Sequence, residues 1–121
     1  MLIRYKKAFE KIAMGLLSFM PEEKDVKKLQ QTIKEYETNK DWHLFLWKQG
    51  DDAIGAIGVR IDDEINAVIQ HITVNPSHRN MGVGKRMVHE VKKMYRDKYA
   101  VCSNDMTESF IDSCEEQDID D

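Results

Sequence analysis

The sequence is poor in cysteine and in long apolar runs, and each shortage excludes a class of protein. Its 121 residues contain two cysteines, Cys102 and Cys114, in no C-x-x-C or Cys/His pattern, which argues against a disulfide framework and against a metal site. No apolar run approaches the roughly 20 residues of a membrane span, and the N-terminus lacks the apolar segment of a signal peptide. We therefore predict one cytoplasmic domain, residues 1–121, without membrane contact.

The charges are distributed unevenly along the chain. All 18 lysines and arginines lie at or before Lys98, whereas 8 of the 22 acidic residues follow it. Residues 1–98 consequently carry a formal charge of +4 and residues 99–121 one of −8. A basic body suits an anionic cofactor. The acidic end would repel nucleic acid, and basic and aromatic residues are not interleaved, so we expect no nucleic-acid partner.

The most informative stretch runs from residue 67 to residue 93. Residues 67–74 are mostly apolar and β-branched and predict a buried strand, and residues 75–77, Asn-Pro-Ser, are typical of a turn. Apolar residues then recur at helical spacing, namely Val83, Met87, Val88, Val91, Met94 and Tyr95. A strand thus ends, turns and leads into a helix through a glycine-rich segment, residues 79–84.

This junction between strand and helix is suited to binding an anion. The first N–H groups of a helix have no internal partner and carry the positive end of the helix dipole. Gly82 and Gly84 let a phosphate approach the backbone, and positive charge comes from Arg79, Lys85 and Arg86. The spacing fits neither GxxxxGK[ST] nor GxGxxG. We predict a loop that binds a pyrophosphate.

The rest of the chain alternates between short strand and helix patterns. Periodicity and turn residues predict strands at 2–7, 42–48, 53–61, 64–74 and 99–103, and helices at 8–19, 21–39, 82–98 and 107–117. Pro21 suits the first position of the second helix, and acidic residues follow it in the first turn. Three strands at short spacing, from residue 42 to residue 74, predict an antiparallel meander.

Residues 74–84, Val-Asn-Pro-Ser-His-Arg-Asn-Met-Gly-Val-Gly, resemble the acetyl-CoA signature of the GNAT family of acetyltransferases, R/Q-x-x-G-x-G/A preceded by V-x-P. The resemblance covers nearly the whole chain and implies an α/β (α+β) fold, a mixed, mainly antiparallel sheet flanked by helices. The family usually adds two strands after the last helix, and this sequence lacks them. The strand near Val101 would then have an exposed edge, so we expect a homodimer, or packing of the acidic tail over that edge.

The resemblance implies acetyl-CoA or CoA as cofactor and a set of residues that bind it. Backbone groups at the end of the fourth strand would pair with the pantetheine arm, and N–H groups of the loop would bind the pyrophosphate. An asparagine after the next strand would contact the pantetheine arm. The residues at these positions are Ile72, Thr73, Val74, Arg79, Asn80, Met81, Gly82, Val83, Gly84, Lys85 and Asn104. Asn104 has an alternative role as a turn residue that caps the last helix.

Acetyl transfer also needs a general base and a proton donor near the sulfur. The family's donor is commonly a tyrosine on the last helix, but Ile111 occupies that position and cannot donate a proton. His71 and Glu64 are the candidate bases, because both fall on the strand that leads to the cofactor. Histidine titrates near neutral pH, although a histidine in an apolar strand also serves as a hydrogen-bonded core residue. Glu64 has the alternative of being solvated beside a turn.

Three functions are compatible with these residues. The first is an N-acetyltransferase that moves acetyl directly to a small-molecule or peptide amine, which the sequence does not identify; the resemblance also suggests a link to riboflavin metabolism. The second is a catalytically weak or inactive CoA-binding or regulatory module, and the third is a nucleotide-binding protein with an unusual phosphate loop. Trp42, His43 and Trp47 could line an acceptor site or belong to the core.

Overall fold

Five strands form a single sheet in the computed structural model, which describes residues 1–112. The strands are β1 (Leu2–Arg4), β2 (Trp42–Gln49), β3 (Asp52–Asp62), β4 (Asn66–Val74) and β5 (Ala100–Ser103). The helices are α1 (Glu10–Leu17), α2 (Val26–Thr38) and α3 (Val83–Tyr95), and short 3-10 turns span Lys7–Phe9, Pro21–Glu23 and Pro76–His78. Residues 108–112 are also helical; the remainder of the helix predicted to residue 117, the cysteine at 114 and most of the acidic tail lie outside the described residues.

The order of strands in the sheet is the order in the chain, β1-β2-β3-β4-β5. The first three pairings are antiparallel and the last, between β4 and β5, is parallel because α3 crosses over between them. The predicted fold class and meander are therefore confirmed. Within residues 1–112 the outer edge of β5 has no strand partner, which agrees with the expectation of an exposed edge near Val101.

Two predicted boundaries were wrong because local turn chemistry intervenes. Asp63 and Glu64 have φ values of 52° and 60°, and the N–H of Ile65 donates to the Asp62 carbonyl at 3.1 Å, so a tight turn of mirror-image type precedes β4. Glu64 therefore lies in this turn and not on the strand. Pro21 begins a separate 3-10 turn, and α2 starts only at Val26.

Asp25 explains the late start of α2. Its backbone is extended, and its carboxylate accepts a hydrogen bond from the N–H of Lys27 at 2.9 Å, as a helix N-cap does. Val26, predicted for the apolar face of this helix, is 61% exposed because it occupies the first turn and points away from the sheet-covering face. The shift of the helix start leaves Glu23 outside α2, and its side chain is buried.

Apolar side chains form one core on each face of the sheet. Helices α1 and α2 cover one face, and their core residues are Ala13, Leu16, Leu17, Met20, Leu29, Ile33, Tyr36, Leu44, Leu46 and Ala56. Helix α3 covers the other face with a second core, whose largest buried residues include Ile54, Ile57, Ile69, Ile72, Met87 and Val91. Because successive side chains along a strand point to opposite faces, the same strands contribute different residues to the two cores. We call these faces the α1/α2 face and the α3 face.

Pairing between β4 and β5 is short. It begins at Asn66 and Ala100 and ends at Ile69 and Ser103. Strand β4 continues for five more residues, to Val74. At the same level the register between β3 and β4 shifts, because Val59 pairs with Ile69 and Gly58 with His71, which makes Gln70 a bulge residue. The sheet therefore opens between β4 and β5 immediately after the bulge.

Candidate active site

Within residues 1–112, the last part of β4 has a strand on one side only. Ile72, Thr73 and Val74 pair with β3, while β5 has already ended at Ser103. Two side chains that follow β5 close the gap at its narrow end: the Thr107 hydroxyl donates to the Ile69 carbonyl at 2.8 Å, and the Asn104 amide donates to the Gln70 carbonyl at 3.3 Å. Backbone groups beyond Gln70 on this side of β4 are thus available to pair with an extended ligand.

Asn104 caps the helical segment that follows it, which is the second of the two roles predicted for it. Its side-chain oxygen accepts hydrogen bonds from the N–H groups of Met106 and Thr107, at 2.9 and 3.0 Å, and so caps the helical segment that follows. Its amide nitrogen is the one that reaches the Gln70 carbonyl. Both ends of the side chain are engaged within the protein, so Asn104 fixes the end of β5 against the bulge.

The loop after β4 presents its backbone at the start of α3. Asn80 and Gly82 have left-handed φ values of 67° and 78°, and Gly82 precedes the helix without any side-chain cap. The N–H of Arg86 donates to the Gly82 carbonyl at 3.1 Å and is the first donor of the helical ladder. The preceding N–H groups belong to the first turn, where a helix offers donors to an anion. A Cβ atom at Gly82 would meet no atom of residues 1–112 within 4 Å, so the described part of the chain leaves the space at this position open.

Arg79 connects this loop to the strand before it. Its Nε donates to the Val74 carbonyl at 3.1 Å, and its side chain is largely exposed. A guanidinium carries four further N–H donors on its terminal nitrogens, so this attachment leaves it suited to a phosphate. The structure thus brings Arg79 to the end of β4, next to the open gap. Lys85 is half-buried in the first turn of α3, and Met81 is 54% exposed in the loop.

His71 is buried within a chain of polar side chains on the α1/α2 face. Its Nδ1 lies 2.6 Å from the Tyr36 hydroxyl, and its Nε2 lies 2.8 Å from the Glu23 carboxylate. The other oxygen of Glu23 accepts a hydrogen bond from the Thr32 hydroxyl at 3.0 Å. All four side chains are buried, with exposed fractions of 1–6%. We call these four residues the His71 network.

The pKa values of the two acidic members of this network shift in opposite directions. Burial raises the pKa of Tyr36 well above its ordinary value of 10.0, and the negative charge of Glu23 adds to the effect. Burial also acts to raise the pKa of Glu23, but the hydrogen bond and charge of His71 and the hydrogen bond from Thr32 outweigh it and leave this pKa below 4.5. Glu23 is therefore a carboxylate and Tyr36 a neutral phenol near neutral pH.

The structure separates the two candidate bases. His71 lies directly after the bulge of β4, whereas Glu64 is exposed in the turn before β4, roughly 20 Å away along the strand direction. Ile111, at the position of the family's tyrosine, is 6% exposed and packs into the core of the α3 face. Neither Glu64 nor Ile111 lies beside His71.

The three aromatic candidates for an acceptor site also separate. Trp42 is half-buried on the α1/α2 face, with its ring edge-on to Tyr36 at 5.1 Å and 6.4 Å from the His71 ring. His43 points to the other face, where its Nδ1 lies 2.6 Å from the Tyr95 hydroxyl and its Nε2 donates to the Lys40 carbonyl at 2.8 Å. Trp47 packs against the core of the α3 face. Trp42 alone of the three lies near the His71 network.

Two charged residues extend the surface beside Trp42. Arg60 pairs with Trp42 across β3 and β2, and its Nε donates to the side-chain oxygen of Gln70 at 3.2 Å. A terminal nitrogen of Arg60 lies 3.5 Å from the Asp62 carboxylate. These residues were not singled out from the sequence, since the antiparallel pairing that places them beside the bulge is not visible in residue spacing. The same holds for Glu23, Thr32 and Tyr36.

Among residues 1–112, no group of three or more His, Cys, Asp or Glu side chains is placed to hold a metal ion. In the same range no helix has the length and apolar character needed to cross a membrane.

Comparison with known proteins gives both sequence and structural relatives. The model of the acetyltransferase (GNAT) family matches residues 10–110. A Bacillus methanolicus protein, named "Uncharacterized N-acetyltransferase in lysA 3'region", is 61% identical over 115 residues, which cover 95% of this chain and 95% of that protein.

Solved structures share the fold at lower identity. The aminoglycoside N-acetyltransferase AAC(6')-Iy in complex with CoA superposes with a TM-score of 0.75 at 18% identity, covering 97% of this chain and 84% of that one. An acetyltransferase of the GNAT family from Elizabethkingia anophelis with acetyl-CoA bound gives a TM-score of 0.65 at 17% identity, covering 84% of this chain and 63% of that one.

Proposed function

This chain belongs to the acetyltransferase (GNAT) family, and from that premise we propose that it binds acetyl-CoA and transfers the acetyl group directly to an amine. The observation that carries the proposal is the continuity of the open half of β4 with the glycine loop. An extended thiol-bearing arm can pair with β4 while its pyrophosphate rests on the first turn of α3. Two solved relatives of the same fold hold CoA and acetyl-CoA, which supports this choice of ligand.

The cofactor site that we propose has three parts. The strand part is Ile72, Thr73 and Val74, and the loop part is Arg79, Asn80, Met81, Gly82, Val83, Gly84 and Lys85. The third part, Asn104, acts indirectly, because its side chain holds the bulge and the end of β5. In the proposed site the acetyl end of the cofactor would lie near Gln70, where the two strands separate.

The acceptor would approach from the α1/α2 face. Trp42, Arg60 and Gln70 lie beside the bulge there and are partly exposed, which suits a small-molecule or peptide amine that stacks or forms hydrogen bonds. His71 remains the proposed base, although both of its nitrogens have partners inside the protein, so that it would act through one of them. The position of Glu64 at the far end of β4 does not support a role for it as base.

A second function has one observation in its favour. Because Ile111 is a core residue, the helix that follows Asn104 provides no proton donor at that position. A catalytically inactive CoA-binding or regulatory module would have the same cofactor site without this donor. Turnover, rather than binding, distinguishes the two functions.

We also propose a link to riboflavin metabolism as the first place to look for the acceptor. The support is the resemblance of the sequence to RibT, a small acetyltransferase-like protein associated with riboflavin biosynthesis operons. Amine-bearing precursors of riboflavin should therefore head a screen that measures release of free thiol from acetyl-CoA. If those precursors give no thiol release above the rate without enzyme while other amines do, the link to riboflavin metabolism is wrong.

We further propose a homodimer with cytoplasmic location, formed through the free edge of β5. Ala100 and Cys102 are exposed on that edge, and an edge strand offers unpaired backbone groups to a second copy. Sedimentation equilibrium should give twice the chain mass of 14.2 kDa. A Ser103→Pro substitution should shift the protein to monomer, because the Ala100 N–H donates toward β4 and alternation along the strand directs the Ser103 N–H to the free edge, where proline removes it. A monomer across micromolar concentrations would contradict the proposal.

Calorimetry with acetyl-CoA, CoA and ATP tests the proposed cofactor site. We expect both CoA forms to bind and ATP to bind far more weakly, because the open half of β4 recognises the pantetheine arm that ATP lacks. Arg79→Ala should weaken binding of acetyl-CoA about 10- to 100-fold, the effect of losing one or two hydrogen bonds to a charged phosphate. Arg96→Ala removes the same charge at the other end of α3 and should leave the affinity unchanged. Equal binding of ATP and acetyl-CoA would instead indicate a nucleotide-binding protein.

A further inference from the structure

The His71 network joins three separate elements of the fold. Glu23 belongs to the 3-10 turn before α2, Thr32 and Tyr36 to α2, and His71 to β4. Every buried side-chain nitrogen and oxygen in the described part of the chain has a hydrogen-bond partner, so this network is fully satisfied. Burying a charged side chain such as the Glu23 carboxylate has a large desolvation cost, and apolar side chains of similar volume commonly stabilise such a site equally well. A contribution to folding stability is therefore a weak explanation for the presence of these four polar residues in the core.

The hydrogen bonds of the network run in one direction. A carboxylate has no proton to give, so Nε2 of His71 donates to Glu23. When the ring is neutral, Nδ1 is consequently the acceptor, and the Tyr36 hydroxyl donates to it. The hydroxyl oxygen keeps a lone pair that can accept a further proton. Tyr36 is thus the end of the network that can receive a proton, and His71 is the group that can store it.

The surroundings place this network beside the proposed reaction centre. His71 adjoins Gln70, the bulge residue at which β4 and β5 separate. Trp42 packs against Tyr36 and reaches the partly exposed surface that also contains Arg60. The charged groups that act on the network are Arg60, whose positive charge lowers the pKa of Tyr36, and Lys28, whose positive charge lowers that of Glu23.

We propose that Tyr36, His71 and Glu23 form a proton relay for acetyl transfer, in which Tyr36 is the catalytic residue that meets the amine. Glu23 is a positioning residue that fixes the tautomer of His71 through the hydrogen bond to Nε2. The inference rests on the proposed function. It also supplies a proton donor, a role that the apolar side chain of Ile111 cannot fill.

The relay accounts for each proton and bond. The neutral amine attacks the thioester carbonyl carbon, a C–N bond forms, and the carbonyl oxygen becomes negative. The ammonium nitrogen passes a proton to the Tyr36 oxygen while the original hydroxyl proton moves to Nδ1 of His71. The tetrahedral intermediate then collapses, the C–S bond breaks, and the thiolate takes a proton from Tyr36 as His71 returns its own. The products are the amide and CoA, and the three side chains regain their starting state.

The test compares two Tyr–His pairs with the same distance between hydroxyl oxygen and ring nitrogen. Tyr36→Phe removes the relay hydroxyl, and Tyr95→Phe removes the hydroxyl that contacts His43 on the α3 face, also at 2.6 Å. Release of free thiol from acetyl-CoA is followed with ethylamine and with water as probe acceptors, and acetyl-CoA binding is measured by calorimetry. We expect Tyr36→Phe to lower kcat at least about 10-fold with unchanged acetyl-CoA affinity, the usual scale of general acid–base catalysis being 10²–10⁴-fold. Tyr95→Phe should leave kcat near that of the unmodified protein.

A comparison of kcat with folding stability distinguishes the relay from a merely structural network. Glu23→Gln should lower kcat at least about 10-fold with unchanged acetyl-CoA affinity, because the carboxylate that fixes the His71 tautomer is gone. A network that only holds the turn at residues 21–23 in place would lower the free energy of unfolding without lowering kcat.

The tautomer of His71 can be determined without any acceptor substrate. Nitrogen-15 NMR of the protein should show a proton on Nε2 and none on Nδ1, and Glu23→Gln should mix the two tautomers. A proton on Nδ1, a Tyr36→Phe rate equal to that of the unmodified protein, or absence of any thiol release from bound acetyl-CoA would each overturn the relay. Failure of acetyl-CoA to bind at all would instead overturn the proposed function, so the two failures are distinguishable.

Discussion

Gly82→Val should abolish binding of acetyl-CoA while the chain stays folded. Gly82 has φ +78°, a conformation that a β-branched residue resists, and its Cβ would project into the open space in front of the first turn of α3. The substitution would therefore block the approach of a pyrophosphate to the backbone N–H groups and distort the loop that presents them. We expect the affinity for acetyl-CoA to fall roughly 100-fold or more, the loss of two or more charge-assisted hydrogen bonds.

Gly50→Val is the matched control for this experiment. Gly50 also has a left-handed φ, +61°, and open space around its Cβ position, but it lies in the turn between β2 and β3. Both variants should lose similar stability in urea, about 1–2 kcal/mol from backbone strain. Calorimetry should then show normal acetyl-CoA binding for Gly50→Val and none for Gly82→Val. Retention of acetyl-CoA affinity in Gly82→Val would mean that the loop does not bind the cofactor.

Gly58→Ala should be among the most destabilising single substitutions in the chain. A Cβ at this position would lie 1.9 Å from the Tyr36 hydroxyl oxygen and 2.4 Å from the ring carbon that bears it. Tyr36 is buried between β3 and His71 and cannot move without leaving its hydrogen bond. Overpacking costs about 1–3 kcal/mol and an unsatisfied buried group a similar amount, so we expect a loss of about 3 kcal/mol or more. Urea unfolding followed by circular dichroism measures it.

The cause of that loss can be isolated with a second substitution. In a Tyr36→Leu background the clash is removed, so Gly58→Ala should cost much less than it does alone, which is a coupling between neighbouring sites. Gly15→Ala is the matched control, because Gly15 lies in α1 with nothing within 4 Å of its Cβ position. That variant should gain about 0.5–1 kcal/mol. If Gly58→Ala lowers the free energy of unfolding equally in both backgrounds, a clash with Tyr36 is not the cause of the loss.

Residue chemistry within short stretches was enough to predict much of this protein. The strand, turn and helix around residues 74–84 follow from β-branched runs, an Asn-Pro turn and glycines, all of which act through neighbours in sequence. The same reasoning predicted the antiparallel meander and the order of all five strands along the chain. Where it failed, a nearby residue had a stronger local preference than the periodic pattern, as Asp25 had at the start of α2 and Asp63 and Glu64 had in their turn.

The environment of the candidate base was decided by tertiary structure. His71 is separated from Glu23 by 48 residues and from Tyr36 by 35, and these groups meet only because α2 and the turn before it pack on the α1/α2 face of β4. Likewise, the contact of the Asn104 amide with Gln70 and the burial of Ile111 depend on the way in which the chain after β5 returns to the sheet. The sequence by itself determined the conformation of the glycine loop, because backbone conformation there depends on local glycines. The tertiary structure decided which side chains join the His71 network, because hydrogen bonds between distant residues depend on how the elements pack.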